Sequence, residues 1–163
     1  MNSTNYDLTK KFRFESAHRL AKGYVGKCGN IHGHSWNGHI TVRCNDLDEQ
    51  GLGIDFGAIK NEVTKIIEDH FDHKLILFSG DPLNETLKDS GVDIVTTDDN
   101  PTSEVIAKFI FEFASEKLNI GGVYYATPVE GNPYSSMKAQ KKFKYEVIEV
   151  VIEETCTSSC KVT

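Results

Sequence analysis

His18, Cys28, His32 and His34 crowd the first part of the chain, and imidazole and thiolate are the side chains that bind transition metals most readily. His32 and His34 flank a single glycine. In extended backbone, residues two apart point the same way, so both imidazoles can approach one ion. Three neutral imidazoles leave a zinc ion its full charge and a fourth position open to water or substrate. Structural zinc sites usually fill all four positions, so this donor set leans toward chemistry. Cys28 carries two readings. It is either the fourth ligand of a closed site, or a thiolate beside the ion that acts as base or nucleophile. A buried, inert thiol fits the glycine and polar neighbours less well.

Two further groups carry weaker signals. Asp72 precedes His73 directly, which suits a relay in which the carboxylate orients the imidazole. A histidine at a helix C-terminus, held by the carbonyl dipole, accounts for the same pair. Glu154 follows Ile148, Val150 and Ile152 on one strand face. It is either the floor of a pocket that accepts N–H donors from a heterocycle, or a solvated strand end. His39 falls on the strand face opposite His34, and Cys156 and Cys160 lack companion ligands.

These residues need elements to hold them. Residues 8–18 alternate as a strand, with Phe12, Phe14, Ser16 and His18 on one face. Residues 34–45 alternate likewise, with His34, Trp36, Gly38, Ile40, Val42 and Cys44 together. Ile59, Val63, Ile66, Ile67, His70 and Phe71 recur at helical spacing. A long polar connection from about Ser79 to Asn100 follows. Thr102 or Ser103 then caps a second helix whose apolar face is Ile106, Phe109, Ile110, Phe113 and Leu118, ended by Gly121-Gly122. Val123–Thr127 and Lys144–Glu154 read as third and fourth strands. The order β-β-α-α-β-β predicts an α+β fold: a four-stranded antiparallel sheet with two helices on one face.

The 163 residues suffice for a single domain. Eighteen basic against twenty-four acidic side chains, a net charge of −6, argue against general nucleic-acid binding. The N-terminus lacks the charged start and apolar run of a signal peptide, and no stretch reaches the ~20 apolar residues of a membrane span. Four scattered cysteines fit a reducing cytoplasm better than a disulfide framework.

Six segments, in this order, carry a resemblance: Phe14-Glu-Ser-Ala-His18-Arg19, Cys28-Gly-Asn-Ile-His32-Gly-His34, Ile54-Asp-Phe56, Phe71-Asp72-His73-Lys74, Asn100-Pro-Thr-Ser-Glu104 and Glu154-Thr-Cys-Thr-Ser-Ser-Cys160. Together they resemble the 6-pyruvoyltetrahydropterin and 6-carboxytetrahydropterin synthase superfamily. The three-residue gap between Cys28 and His32 looks like the bacterial carboxytetrahydropterin branch. The resemblance implies the tunnelling fold (T-fold), with sheets joined into a barrel by trimers and two trimers stacked into a hexamer. It implies Zn2+ on His18, His32 and His34, Cys28 as the base, and Asp72 with His73 as a relay supplied by a neighbouring subunit. Glu154 would anchor the pterin ring, with Thr102, Ser103 and Glu104 beside it.

The implied reaction is zinc-dependent conversion of 7,8-dihydroneopterin triphosphate to 6-carboxy-5,6,7,8-tetrahydropterin, acetaldehyde and triphosphate, toward queuosine. The alternatives are a pyruvoyl-type synthase, which keeps the carbon skeleton, and a non-catalytic zinc-stabilised oligomer with Cys28 as fourth ligand. Relative to the shortest family members, residues 79–100 and 128–143 are insertions. Lys138, Lys141 and Lys142 in the second suit either the triphosphate or a solvated loop.

Overall fold

Alternation at period two builds the two longest strands. In the computed structural model, which describes residues 4–48, 50–118 and 145–163, β1 is Tyr6–His18 and β2 is His32–Cys44. They pair antiparallel in unbroken register from Tyr6 opposite Cys44 to His18 opposite His32. The even-numbered face buries Phe14, Trp36, Ile40 and Val42, and the ring planes of Phe14 and Trp36 stack. The odd-numbered face is polar, with Thr9 and Thr41 sharing a hydroxyl contact of 2.9 Å.

Helix α1 (Phe56–His70) starts where the Asp55 side chain accepts the Gly57 N–H, and it buries Ile59, Val63, Ile66 and Ile67. Helix α3 (Ser103–Leu118) buries Ile106, Ala107, Ile110, Ala114 and Leu118. Both pack on the apolar face of the sheet and share one core with Val147, Val150 and Ile152 of β5 (Tyr145–Thr155). Phe109 and Phe113, expected among the buried residues of α3, sit half-buried at its margin. There His70 meets their ring edges at 5.2 and 5.5 Å.

The sheet departs from the four antiparallel strands expected. Among the described residues it has six strands in the order β4-β3-β1-β2-β5-β6. Strands β3 (Leu75–Phe78) and β4 (Ile94–Thr97) run parallel to β1 and to each other, whereas β5 and β6 (Ser158–Val162) continue the antiparallel side. Leu75-Ile-Leu-Phe78 is a continuous apolar run, which has no alternation to reveal it as a strand. The stretch from 79 to 100, expected to be a bare connection, also holds a short helix α2 (Asn84–Asp89), a third α-helix beside the two expected. The expected strand at Val123–Thr127, the Gly121-Gly122 stop, the 128–143 insertion and its lysines lie outside the described residues. No helix among the described residues is long and apolar enough to cross a membrane.

Candidate metal centre

The face that builds the core also carries the histidines. His18 ends β1, and His32 and His34 open β2, so strand pairing brings the three rings together at the end of the apolar face. Their centroids lie 4.5, 4.9 and 5.1 Å apart. The buried Trp36 supplies the floor, with its ring set edge-on to His18 and His34 at 5.1 and 5.2 Å. Glu154 near the end of β5 completes a group of four whose donor atoms all lie within 4.8 Å of one another. Its Oε1 stands 3.3 Å from His18 Nε2 and 3.5 Å from His34 Nε2.

The hydrogen bonds decide which ring nitrogen is free. His18 Nδ1 lies 2.7 Å from the carbonyl oxygen of Pro101, and His32 Nδ1 lies 2.9 Å from that of Asn30. A carbonyl only accepts, so each Nδ1 carries the proton and each neutral ring presents a bare lone pair at Nε2. Those two lone pairs face each other at 3.2 Å. Two acceptors at that distance repel unless a cation lies between them. His34 Nε2 is buried with no hydrogen-bond partner. Burial pushes His18 below the ordinary histidine range, against the pull of Pro101, and pushes His34 down against the attraction of Glu154. Neutral imidazoles with converging lone pairs fit a divalent transition metal.

Cys28 lies on a single 3-10 turn, Lys27–Gly29, half-buried and tied to the exit of β1 by the Leu20 N–H to Cys28 carbonyl bond of 2.9 Å. Its sulfur is not one of the four atoms that converge. Tyr24, which no motif in the sequence marks, is hydrogen-bonded to Cys28. That bond, with the charges of Cys28 and Glu154, pushes the phenol above its usual range, so the hydroxyl stays protonated and donates. The Tyr24 ring lies over Gly26, where a built Cβ would meet it at 2.9 Å. Glycines at 23 and 26 bracketing an aromatic were the only signal, and turn glycines are too common to carry it.

Asp72 and His73 do not join the cluster within this chain. Asp72 Oδ1 accepts the Glu15 N–H at 3.0 Å, and its Oδ2 meets His73 Nδ1 at 2.9 Å. The Glu15 bond, seconded by His73, holds the Asp72 carboxyl below its ordinary range. His73 is 79% exposed and holds a left-handed backbone at φ 58°, unusual for a side chain other than glycine. Both His34 and His73 line an open groove of about 520 Å³ with Glu15, Ser35 and Lys74.

The start of α3 stands against the cluster through Pro101. Thr102 Oγ1 accepts the Val105 N–H at 3.4 Å as the cap, and Ser103 opens the helix. Bonds from Thr102 and its own backbone hold Glu104 below the usual carboxylate range. The segment from 79 to 100 braces the same corner. Arg19 Nε donates to the buried Asp81 Oδ2 at 2.7 Å. Asn100 takes the Lys22 N–H at 2.8 Å and returns an N–H to the Lys22 carbonyl at 2.9 Å.

Comparison with known proteins places this geometry in a family. The family model described as 6-pyruvoyl tetrahydropterin synthase matches residues 7–163. The chain is 30% identical to a 6-carboxy-5,6,7,8-tetrahydropterin synthase of Aquifex aeolicus, over 96% of each chain. It is 35% identical to the protein of that name from Rickettsia typhi, over 75% of this chain and 89% of the relative. Among solved structures, an uncharacterized protein of Wolinella succinogenes superposes with a TM-score of 0.70 at 22% identity, covering 98% of both chains. Caenorhabditis elegans 6-pyruvoyl tetrahydropterin synthase superposes at 0.61, also at 22% identity, over 99% and 97%. These two likenesses show the fold.

Proposed function

The chain belongs to the 6-pyruvoyl tetrahydropterin synthase family, and we propose that it is a zinc-dependent lyase of the 6-carboxytetrahydropterin type. With one water, it would turn 7,8-dihydroneopterin triphosphate into 6-carboxy-5,6,7,8-tetrahydropterin, acetaldehyde and triphosphate, on the way to queuosine and other 7-deazapurines. The observation that carries this reading is the convergence of His18, His32 and His34 with Nε2 lone pairs turned inward. The relatives' shared name and the short gap from Cys28 to His32 favour the carboxy branch over the pyruvoyl one.

His18, His32 and His34 would hold the ion, with His18 and His32 oriented by the Pro101 and Asn30 carbonyls. Bound there, zinc would act as a Lewis acid on the substrate's side-chain hydroxyls. Cys28 would take the proton from the side-chain carbon, positioned by the Tyr24 hydroxyl. Its absence from the converging four supports the base over the fourth ligand. Asp72 would orient His73, which exchanges a proton with the substrate of a neighbouring subunit. The exposure of His73 within this chain supports that arrangement. Glu154 would accept the ring's N–H and amino donors, with Thr102, Ser103 and Glu104 beside the ring.

We read residues 1–163 as one T-fold domain with insertions at about 79–100 and 128–143, assembled as a hexamer of two trimers with sheets joined into a barrel. Among the described residues the sheet ends on β4 and β6, whose open edges closure would satisfy. Four free cysteines suit the cytoplasm. Product identification tests the reading. Acetaldehyde with 6-carboxytetrahydropterin supports it, whereas triphosphate release with the carbon skeleton kept identifies the pyruvoyl reaction instead.

A further inference from the structure

Glu154 lies where a fourth metal ligand belongs. Four donors about 2.0–2.1 Å from a zinc ion stand about 3.3–3.4 Å apart along the edges of their tetrahedron. The distances from His18 Nε2 to His32 Nε2, from His18 Nε2 to Glu154 Oε1, and from His34 Nε2 to Glu154 Oε1 are 3.2, 3.3 and 3.5 Å. All four donor atoms fall within 4.8 Å.

The chemistry agrees with the distances. Since the neutral His18 ring keeps its proton on Nδ1, donated to the Pro101 carbonyl, His18 Nε2 has none to offer Glu154. The contact is therefore acceptor against acceptor, which a shared cation converts to attraction. His34 Nε2 is buried and makes no hydrogen bond, although a carboxylate oxygen stands 3.5 Å away. Among the described residues, the ion-pair contacts of Glu154 are these two histidines. A carboxylate two-thirds shielded at a strand end, with no lysine or arginine on it, has the metal as its natural partner.

We propose that Glu154 closes the metal's coordination in the resting protein and leaves it when substrate arrives, so that the site opens only for a molecule that engages both the carboxylate and the metal. This rests on the reading of His18, His32 and His34 as ligands. A pterin offers both: ring N–H and amino donors for Glu154, and side-chain hydroxyls for the position it gives up. A simple diol has only the second. The carboxylate thus couples ring recognition to metal access.

Visible spectroscopy of the full chain loaded with cobalt(II) tests this, because cobalt bands report ligand number and type. In Glu154→Gln the bands shift, and the cobalt Kd rises about 10- to 100-fold. Adding 7,8-dihydroneopterin to the wild type moves its bands toward those of the variant, whereas 1,2-propanediol does not. Unchanged bands and Kd in E154Q, or no response of the wild type to the pterin, overturn the proposal. His32→Ala separates the two readings. If it loses cobalt while E154Q is unchanged, only the role of Glu154 falls. If it keeps cobalt, the metal centre itself is wrong. A crystal structure of the zinc-loaded wild type needs no variant. Glu154 Oε1 at about 2.0–2.2 Å from zinc supports the proposal, and water in that position overturns it.

Discussion

His18 Nδ1 donates to the Pro101 carbonyl oxygen across 2.7 Å, joining the end of β1 to a residue 83 positions further along the chain. The bond fixes the tautomer of a ring that is 1% exposed and aims its Nε2 at the other imidazoles. Pro101 is itself held by its neighbour, since Asn100 pairs both ways with the Lys22 backbone.

Asn100→Ala therefore loosens the brace behind His18 while leaving every ligand in place. Zinc affinity should fall about tenfold, read by competition with a chelator, with the fold retained by circular dichroism. An unchanged affinity would mean that Pro101 is held without Asn100.

Cys28→Ala should abolish turnover and keep the metal content of the wild type. Loss of metal would instead make the thiol a ligand. Tyr24→Phe removes a hydrogen bond to a group that carries charge during proton transfer, worth about 1.5 kcal/mol, or roughly tenfold in rate. Its kcat should drop by that factor at constant metal content, and a wild-type kcat would show the hydroxyl to be dispensable.

His73 holds a left-handed backbone that glycine adopts freely. His73→Gly should thus leave thermal stability within about 1 kcal/mol of the wild type, yet eliminate turnover. A variant that is stable and active would remove His73 from the chemistry.

Asp72 contributes to the pH dependence of stability. Its carboxyl is held below the ordinary aspartate value of 3.8 by the Glu15 N–H and by His73. A depressed folded value means that the unfolded chain binds more protons, so the stabilisation is complete above 3.8 and lost as pH falls through the folded value. Asp72→Asn should be less stable than the wild type at neutral pH, and the gap should close on acidification below 3.8. A gap that persists into strong acid would assign the effect to packing.

Much of this arrangement was readable in the residues. Period two put His18 with Phe14 on one face of the first strand and His34 with Trp36 on one face of the second, and the expected pairing of the two strands joined those faces. The helix faces followed from Ile59 to Phe71 and from Ile106 to Leu118 in the same way. The parallel strands did not, because Leu75–Phe78 and Ile94–Thr97 are each four residues long and pair with partners far off in the chain. Spacing showed neither the place of Glu154 beside the imidazoles nor the Asn100–Lys22 brace, since each depends on strands or loops meeting in space. The Tyr24 contact lay hidden because its partner is a turn, which has no periodicity to read.

The most direct measurement is acetaldehyde release from 7,8-dihydroneopterin triphosphate by protein stripped of metal and then titrated with zinc. Turnover should vanish on stripping and return in proportion to added zinc, levelling off at one ion per chain. Full-rate acetaldehyde release by the stripped protein would contradict the role assigned to the three histidines.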